Sequence, residues 1–332
     1  MVFKNLEKKY PFKAILILGP TASGKTSLAH RVFDELSKVK IKASIVNLDA
    51  FQLYKGFDIG TAKPNLSDIK KYFYQCLSIL EPNENLNAKA YSKLLEESCL
   101  HLHKKNTLPI CVGGSGLYVR AFLHGLDDLP DRNDRLRQYL RNLSKLCGPA
   151  FLHAWLSSVD KKRASEIHRN DMVRIERALE IFIETKNLSQ TYYTQSHELK
   201  DQDCRFQSFI VHLSPGKEEL LERIKKRTQA LLDAGWLEEV KSLYTAYGDS
   251  LSTFAAMKSI GYREILTLIK DKKDKIDKID KESLELLIKM TYQYAKKQIT
   301  WNHKEKQDFQ FKSVFCGDEK IECLMTKIYN FL

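Results

Sequence analysis

Short, mainly apolar runs alternate with longer amphipathic stretches along most of this chain. Continuous apolar runs are typical of strands buried on both faces, whereas a period of 3.6 residues indicates helices. The apolar runs cover residues 14–18, 41–48, 108–112 and 206–213. Helical periods are clearest over 87–105, 217–234 and 282–301. Strands that alternate with helices predict an α/β fold with a parallel sheet.

Residues 131–200 break this alternation. They lack apolar strand runs and read as helices with dense charge, and the run at 206–213 then restores the strand pattern. We therefore expect a core in two parts, 1–130 and 201–332, with the helical insertion 131–200 between them. The second part also carries the C-terminal helices.

The stretch GPTASGKT lies between the first predicted strand and an amphipathic helix, which is the context of a phosphate-binding loop. Lys25 would supply a cation for the terminal phosphates, and Thr26 a hydroxyl for Mg²⁺. The eight loop residues are Gly19, Pro20, Thr21, Ala22, Ser23, Gly24, Lys25 and Thr26. The motif leaves open an NTPase, a kinase, an enzyme that removes diphosphate from a small molecule, or a turn without a ligand.

Three further features fall near the same edge of the predicted sheet. Asp49 ends the second strand, where it could bind Mg²⁺, act as a general base or cap the next segment. A second glycine-rich turn, Gly113–Tyr118, follows the third strand. Arg223 and Arg227 share a helix face after the fourth strand, which suits either phosphate binding or ion pairs with neighbouring acids.

The chain has 332 residues and a formal net charge of +12. That excess indicates a polyanion partner such as nucleic acid, or it reflects a proteome in which many proteins carry excess lysine for no specific reason. Arg174 and Arg177 share a helix face in the insertion, which suits phosphates or simply solvent. Seven cysteines without a C-x-x-C pair indicate reduced thiols in the cytoplasm and no zinc site. No apolar run is long enough to span a bilayer, and the start does not resemble a secretion signal.

Several blocks, taken in order, resemble the bacterial type of the tRNA isopentenyltransferase (tRNA dimethylallyltransferase) family over about residues 14–303. After the phosphate-binding loop come Asp49 with Gln52 and Tyr54, and then GFDIGTAKP at 56–64. The later blocks are GGSGLY at 113–118, ND…R..RALE over 170–180, GYRE at 261–264 and AKKQITW at 295–301. FDIGTAKP after a strand-end Asp is far more specific than the phosphate-binding loop itself.

The resemblance implies a P-loop kinase-like core with a helical insertion that grips the anticodon stem-loop of tRNA. It implies transfer of a dimethylallyl group from dimethylallyl diphosphate to N6 of adenine 37, in tRNAs that read codons starting with U. Diphosphate is then the leaving group, and Mg²⁺ is the expected cofactor. We expect a cytoplasmic monomer with no membrane partner.

The same resemblance implies roles for individual residues. Asp49 matches the family's general base, and Ser115 takes the place of a family threonine near the reacting groups. Lys25 and Arg227, with Mg²⁺ on Thr26, would neutralise the leaving diphosphate. The expected tRNA contacts are Asp49, Ala50, Phe51, Gln52, Ser115, Arg137, Val173, Arg174, Ile175, Glu176, Arg177 and Lys258.

Some features depart from the family or leave rivals. Ala50 stands where the family usually has Ser, and Cys316 and Cys323 lack the paired histidines of a eukaryotic zinc finger. The nearest rival is an adenylate isopentenyltransferase that uses free AMP, ADP or ATP. The basic insertion and the charge of +12 favour tRNA, because a free nucleotide needs no such arm. A nucleotide kinase and an RNA-binding protein without activity are more distant alternatives.

Overall fold

The fold is centred on one parallel sheet. The computed structural model describes residues 12–126, 129–186, 205–271, 276–308, 313–316 and 321–332. Five parallel strands pair in the order β2-β3-β1-β4-β5. They are Lys13–Leu18 (β1), Ala43–Asn47 (β2), Leu108–Gly113 (β3), Gln207–Leu213 (β4) and Ser313–Cys316 (β5). The four strands predicted from apolar runs are confirmed, whereas the short β5 was not predicted.

Helices connect these strands and extend beyond them. Before β4 the helices are Lys25–Lys38 (α1), Leu66–Lys71 (α2), Ala88–Lys104 (α3), Gly116–His124 (α4), Asp134–Cys147 (α5), Pro149–Val159 (α6), Lys161–Glu166 (α7) and Met172–Thr185 (α8). After β4 they are Lys217–Asp233 (α9), Trp236–Tyr247 (α10), Tyr262–Asp271 (α11), Lys281–Asp308 (α12) and Ile321–Phe331 (α13). The three predicted helices are confirmed, and α12 continues seven residues beyond its predicted end at 301.

Both faces of the sheet are covered, which explains why its strands read as continuous apolar runs. Alternate residues of β1 enter two separate cores, because successive strand side chains point to opposite faces. Leu16 packs in the core that includes Tyr91 of α3. Ile15 packs in the core that includes Val32 of α1, together with side chains of α13. β1 lies centrally between β3 and β4, so the loop that follows it leaves from the middle of the sheet.

The chain divides into two compact units, one formed by Met1–Gly125 with Cys204–Leu332 and the other by Leu126–Asp203. The second unit corresponds to the insertion expected at 131–200, with slightly wider bounds. Its described part contains α5 to α8 around their own apolar core, which includes Leu140, Leu156 and Leu179. The final stretch of the expected insertion, 187–200, lies outside the described residues.

Net charge is distributed unevenly between these units. Over 131–200 the sequence has 13 Lys and Arg against 9 Asp and Glu, which is the basic excess noted above. The full unit Leu126–Asp203 adds four aspartates and no base, so it has 13 of each and a formal charge of zero. The basic excess expected of the insertion is therefore present over 131–200 and is cancelled over the wider unit. The entire excess of +12 belongs to the unit that carries the sheet.

Within the described ranges, no helix combines the length and the apolar character needed to cross a membrane.

Candidate active site

The loop between β1 and α1 is shaped by close backbone approaches that only glycine permits. Gly24 has φ of 92° at the start of α1, in the left-handed region that favours glycine. A Cβ on Gly19 would lie 2.7 Å from the carbonyl oxygen of Leu213 and 2.8 Å from Oγ of Ser23. This strand–loop–helix arrangement agrees with the phosphate-binding loop predicted from the sequence.

A cavity of about 350 Å³ lies over this loop at the carboxyl ends of the strands. Three cations line it, Lys25, Arg223 and Arg227, against the single carboxylate of Asp49 among the described lining residues. Uncharged lining comes from Thr21, Ala22, Gly24, Thr26, Ser27, Asn47, Gln52, Thr61, Ala62, Pro64, Tyr74, Val112, Gly113, Gly114, Tyr294 and Gln298. The balance of charge suits a ligand with at least two negative charges.

Lys25 and Arg227 are confined close enough to influence each other. Nζ of Lys25 donates to the carbonyl oxygen of Pro20 at 2.6 Å. Burial and the charge of Arg227 lower the pKa of Lys25 to about 7, and Asp49 partly opposes them. Burial also lowers the pKa of Arg227, again against the influence of Asp49. Two neighbouring cations whose pKa values are both lowered are typical of an anion-binding site.

Asp49 is fixed by hydrogen bonds on both sides. Its Oδ1 accepts from the backbone N–H of Phe51 at 2.9 Å and caps the short 3₁₀ turn Ala50–Leu53. The backbone N–H of Asp49 donates to Oδ1 of Asn47 at 2.9 Å, and Nδ2 of Asn47 returns a bond to the Asp49 carbonyl at 2.8 Å. The capping role considered from the sequence is therefore present. Capping orients a carboxylate that also lines the cavity.

Arg223 forms the ion pair with a neighbouring acid that the sequence left open, and it also contacts the loop. Its Nη1 donates to the carbonyl oxygen of Ser23 in the loop at 3.1 Å, while Nη2 pairs with Glu219 at 2.5 Å. Arg223 thus touches the loop backbone, whereas Arg227 lies deeper in the lining.

The second glycine-rich turn packs directly against the first. A Cβ on Gly114 would lie 2.3 Å from the carbonyl oxygen of Gly19, so no other residue fits there. Ser115 follows and begins α4, with its Oγ 3.4 Å from the hydroxyl of Tyr294. Burial and the charge of Asp49 raise the pKa of Tyr294 to about 12, so this hydroxyl keeps its proton at neutral pH. Gly114 and Tyr294 line the cavity, whereas Ser115 stands behind them.

The FDIGTAKP segment forms the far wall and is held by one carboxylate. Glu239 of α10 accepts from the backbone N–H groups of Asp58, Ile59 and Gly60 at 2.8, 2.6 and 3.1 Å. The hydroxyl of Tyr262 also donates to Glu239, at 2.5 Å. This bonding fixes a segment that lacks regular secondary structure and presents Thr61, Ala62 and Pro64 to the cavity.

A smaller chamber of about 70 Å³ adjoins the main cavity. The two share Asp49, Arg227 and Tyr294 in their linings. Phe51 and Trp236 give the smaller chamber an apolar wall, in contrast to the charged floor over the loop. The arrangement provides a polar, cationic side and an apolar side that meet at Asp49.

The profile of the IPP transferase family matches residues 52–305, which is most of the chain. The chain belongs to the IPP transferase family. The resemblance inferred from the motifs is thereby confirmed, and with it the assignment as a prenyltransferase enzyme.

The chain is 34% identical over 304 residues to tRNA dimethylallyltransferase 2 of Geotalea daltonii, an alignment that covers 90% of this chain and 87% of the relative. It also resembles the crystal structure of the full-length tRNA isopentenylpyrophosphate transferase of Bacillus halodurans. The TM-score is 0.65 at 26% identity, and the match covers 98% of this chain and 95% of that one. A eukaryotic dimethylallyltransferase that acts on tRNA shares the fold with a TM-score of 0.73 at 22% identity, over 92% of this chain and 74% of that one.

The residues expected to contact tRNA fall into two sets, one in each compact unit. Asp49, Phe51 and Gln52 line the main cavity or its smaller neighbour. Nearby in sequence, Ala50 is almost fully buried in the sheet core. Lys258 is exposed at the end of a 3₁₀ turn in the same unit. Ser115 precedes α4 in that unit as well, and the other candidates lie in α5 and α8 of the insertion.

The expected tRNA contacts in the insertion differ sharply in solvent exposure. Val173 and Arg174 at the start of α8 are exposed, the Arg174 side chain by 67%. Ile175 is completely buried in the insertion core, and Glu176 is buried beneath Arg141. As side-chain contacts to tRNA, Ile175 and Glu176 therefore need correction, because one faces the core and the other is consumed by an internal ion pair.

Arg137 and Arg177 are held by the buried carboxylate of Glu180. Arg137 donates from Nε and Nη2 to both oxygens of Glu180, at 2.9 and 2.8 Å, and Arg177 adds a bond at 2.5 Å. Glu180 has no exposed surface. Both arginines therefore have a structural task, whatever else they contact.

Two polar residues of the last long helix are among the cavity residues that were not assigned a site role from the sequence. Tyr294 and Gln298 are four residues apart on α12 and line the main cavity together. The sequence offered a weak signal, since two polar side chains one turn apart interrupt the apolar face of that helix. In the fold, these two side chains contact the two glycine-rich turns, which lie far away along the chain.

Proposed function

We propose that this protein transfers the dimethylallyl group of dimethylallyl diphosphate to N6 of the adenine at position 37, next to the anticodon, in tRNAs that read codons starting with U. The products are N6-isopentenyladenosine and diphosphate. The observation that carries the proposal is the meeting of three cations and one capped carboxylate in a single cavity. Family membership and the names of the relatives support the choice of substrates.

On the donor side, Lys25, Arg223 and Arg227 would hold the diphosphate over the first loop. Backbone N–H groups at the start of α1 add the positive end of the helix dipole. Charge builds up on the diphosphate as its bond to the allylic carbon breaks, and fixed cations stabilise that charge more than they stabilise the ground state. The loop then serves a departing diphosphate and needs no ATP hydrolysis.

Mg²⁺ fits this site as a partner of the substrate. Thr26 is exposed at the cavity and offers a hydroxyl, with Asp49 as a carboxylate in the same lining. Among the residues described, no three His, Cys, Asp or Glu side chains come together as a metal cluster. Mg²⁺ commonly accepts few protein ligands and completes its shell with phosphates and water. When bound, it would supply further positive charge to the diphosphate oxygens.

On the acceptor side, Asp49 would take the proton from N6 of adenine. A bond forms between N6 and the allylic carbon while the carbon–oxygen bond to diphosphate breaks, so the electron pair leaves with the diphosphate. An exocyclic amine is a weak nucleophile, and holding it against the allylic carbon supplies much of the rate. Ser115 and Tyr294 form a hydroxyl pair beside this point and would orient the base. The adenine must leave its stack to reach them.

For the nucleic acid, we propose that the exposed start of α8 contacts the backbone of the anticodon stem-loop. Arg174 and Val173 are available there, and Lys258 is available in the other unit. We further propose that the enzyme acts in the cytoplasm as a monomer.

The deciding experiment incubates the purified protein with dimethylallyl diphosphate and Mg²⁺, and with either unmodified tRNA or AMP. We expect prenylated tRNA and stoichiometric diphosphate release, and no prenylated AMP. Lys25→Ala serves as a matched negative control, because it leaves the insertion untouched. Prenylated AMP without prenylated tRNA would indicate the adenylate enzyme instead, and ATP turnover without the prenyl donor would indicate a kinase or NTPase.

A further inference from the structure

Gln298 lies between the two glycine-rich turns and bonds to the backbone of both. Its Oε1 accepts from the N–H of Thr21 in the first turn at 2.7 Å. Its Nε2 donates to the carbonyl oxygen of Gly114 in the second turn at 3.0 Å. The side chain is 6% exposed, so water does not readily replace either bond.

In the proposed reaction, the first turn lies on the donor side and the second on the acceptor side. Gln298 bonds to both turns where they touch. The first turn, at Gly19–Thr26, faces the diphosphate, and the second leads to Ser115 beside Tyr294. Their backbones are packed so tightly that a Cβ on Gly114 would collide with both the Gly19 carbonyl, at 2.3 Å, and Nε2 of Gln298, at 2.7 Å. Packing sets how close the turns come, but it leaves them free to slide. Directional hydrogen bonds restrict sliding as well.

We propose that Gln298 is a positioning residue that fixes the register of the donor-side turn against the acceptor-side turn. An amide is the side chain that can do this, because it offers an acceptor and a donor on one planar group. Glutamate would keep the acceptor and lose the donor, and methionine would keep the bulk and lose both. Tyr294, one helical turn earlier on α12, ties the same helix to Ser115.

Loss of the amide would leave the Thr21 N–H and the Gly114 carbonyl buried without partners. The first turn would then adopt several arrangements, and only one of them presents its N–H groups to a diphosphate. We expect Gln298→Met to raise the dissociation constant of inorganic diphosphate by about tenfold or more. The Michaelis constant for dimethylallyl diphosphate should rise in parallel, while that for tRNA stays within about twofold.

The test compares Gln298→Met with Gln293→Met, an exposed glutamine on the same helix. Isothermal titration calorimetry with inorganic diphosphate measures the affinity. Amide hydrogen exchange of peptides spanning 19–26 and 113–118 measures the order of the turns. We expect faster exchange in both peptides for Gln298→Met and no change for Gln293→Met.

A second variant keeps the test decisive if Gln298→Met does not fold. Gln298→Glu retains the acceptor for Thr21, so protection of 19–26 should persist while protection of 113–118 is lost. If diphosphate affinity and exchange are unchanged in Gln298→Met, the side chain only fills space and the inference is overturned. These binding and exchange measurements do not require turnover. A failed prenyl transfer would therefore refute the proposed function and leave the role of Gln298 standing.

Discussion

At the scale of single residues, Asp49 combines a structural bond and a chemical position in one carboxylate. Oδ1 caps the 3₁₀ turn through Phe51, while the group as a whole faces Lys25 and Arg227 across the cavity. The cap means that alanine at this position would disturb the backbone as well as the chemistry. Asparagine keeps a capping oxygen and removes the base.

We therefore expect Asp49→Asn to reduce prenyl transfer by about 10²–10⁴-fold, the usual worth of a general base. Binding of tRNA, followed by filter retention, should remain within about threefold because the cap persists. Asp49→Ala should lose in addition about 1 kcal/mol of stability through the missing cap. An Asp49→Asn enzyme with near-normal turnover would remove Asp49 from the role of base.

Lys25 gives a second residue-scale prediction, because its environment changes when an anion arrives. Burial and Arg227 lower its pKa to about 7 without ligand, and a diphosphate beside it would raise that pKa again. Above pH 7, binding must therefore bring a proton to Lys25. Affinity for diphosphate should then fall as the pH rises from 7 to 9, by up to about tenfold per pH unit. Below pH 7 Lys25 is already charged and adds no such dependence.

Calorimetry in two buffers of different ionisation enthalpy counts the protons taken up. Lys25→Arg is the control, since arginine stays charged throughout this range. Whatever the diphosphate itself takes up is common to both proteins, so the difference belongs to Lys25. Equal proton uptake by the two proteins would contradict the prediction.

Residues of the cavity were predictable from the sequence only where they belong to a local pattern. The loop motif identified Lys25 and Thr26, and the end of a strand identified Asp49. Gln298 stands in the AKKQITW block but was given no site role, because it meets Thr21 across 277 positions of sequence. A contact of that kind depends on where a helix packs, which periodicity alone does not specify.

At the scale of elements, α5 and α8 are joined through buried acids. Arg137 bonds to Glu180, and one turn further along α5 Arg141 bonds to Glu176 at 3.1 Å. Burial alone would raise the pKa of Glu180, but hydrogen bonds from Arg137, Arg177 and the backbone of Asn133 outweigh it and lower that pKa. The stabilisation is present above the ordinary value of 4.5 and is lost as the pH falls below it.

Arg137→Ala should therefore destabilise the insertion by about 3 kcal/mol, since it strips a buried carboxylate of two bonds. Urea unfolding followed by the fluorescence of Trp155 in α6 reports on this unit. Arg135→Ala is the matched control, because Arg135 is an exposed neighbour on the same helix. Similar unfolding midpoints for the two variants would show that the Glu180 cluster adds nothing to the packing of α5 on α8.

At the scale of the whole molecule, the basic excess and the inserted helices belong to different units. The unit Leu126–Asp203 is formally neutral, so it does not attract a polyanion by its total charge. Individual arginines can still contact phosphates, but long-range attraction must come from the unit that holds the cavity.

This division predicts how tRNA binding responds to salt. Arg174→Ala should weaken tRNA binding several-fold and reduce the slope of log affinity against log salt by roughly one. Most of the slope should remain, because most of the excess positive charge is elsewhere. Filter binding between about 50 and 200 mM salt measures it. An unchanged slope would remove Arg174 from the tRNA contacts, and near-complete loss of the slope would contradict the division of charge.

The sheet was largely predictable because its strands are buried on both faces and therefore continuously apolar. β5, of four residues, has too little pattern to stand out. The insertion is basic over 131–200, as expected, and four aspartates just outside those bounds cancel that excess over the wider unit.

The contact between Thr21 and Gln298 also has a consequence for folding during synthesis on the ribosome. The first glycine-rich turn emerges from the ribosome before its partner, which follows 277 residues later. At about 5–20 residues per second, that interval is roughly 14–55 s. Throughout it, Thr21 has no amide to receive its N–H, and β1 has no β4 beside it until Gln207–Leu213 is made. A nascent chain thus carries a recognisable phosphate-binding motif well before it contains the amide that bonds to that motif.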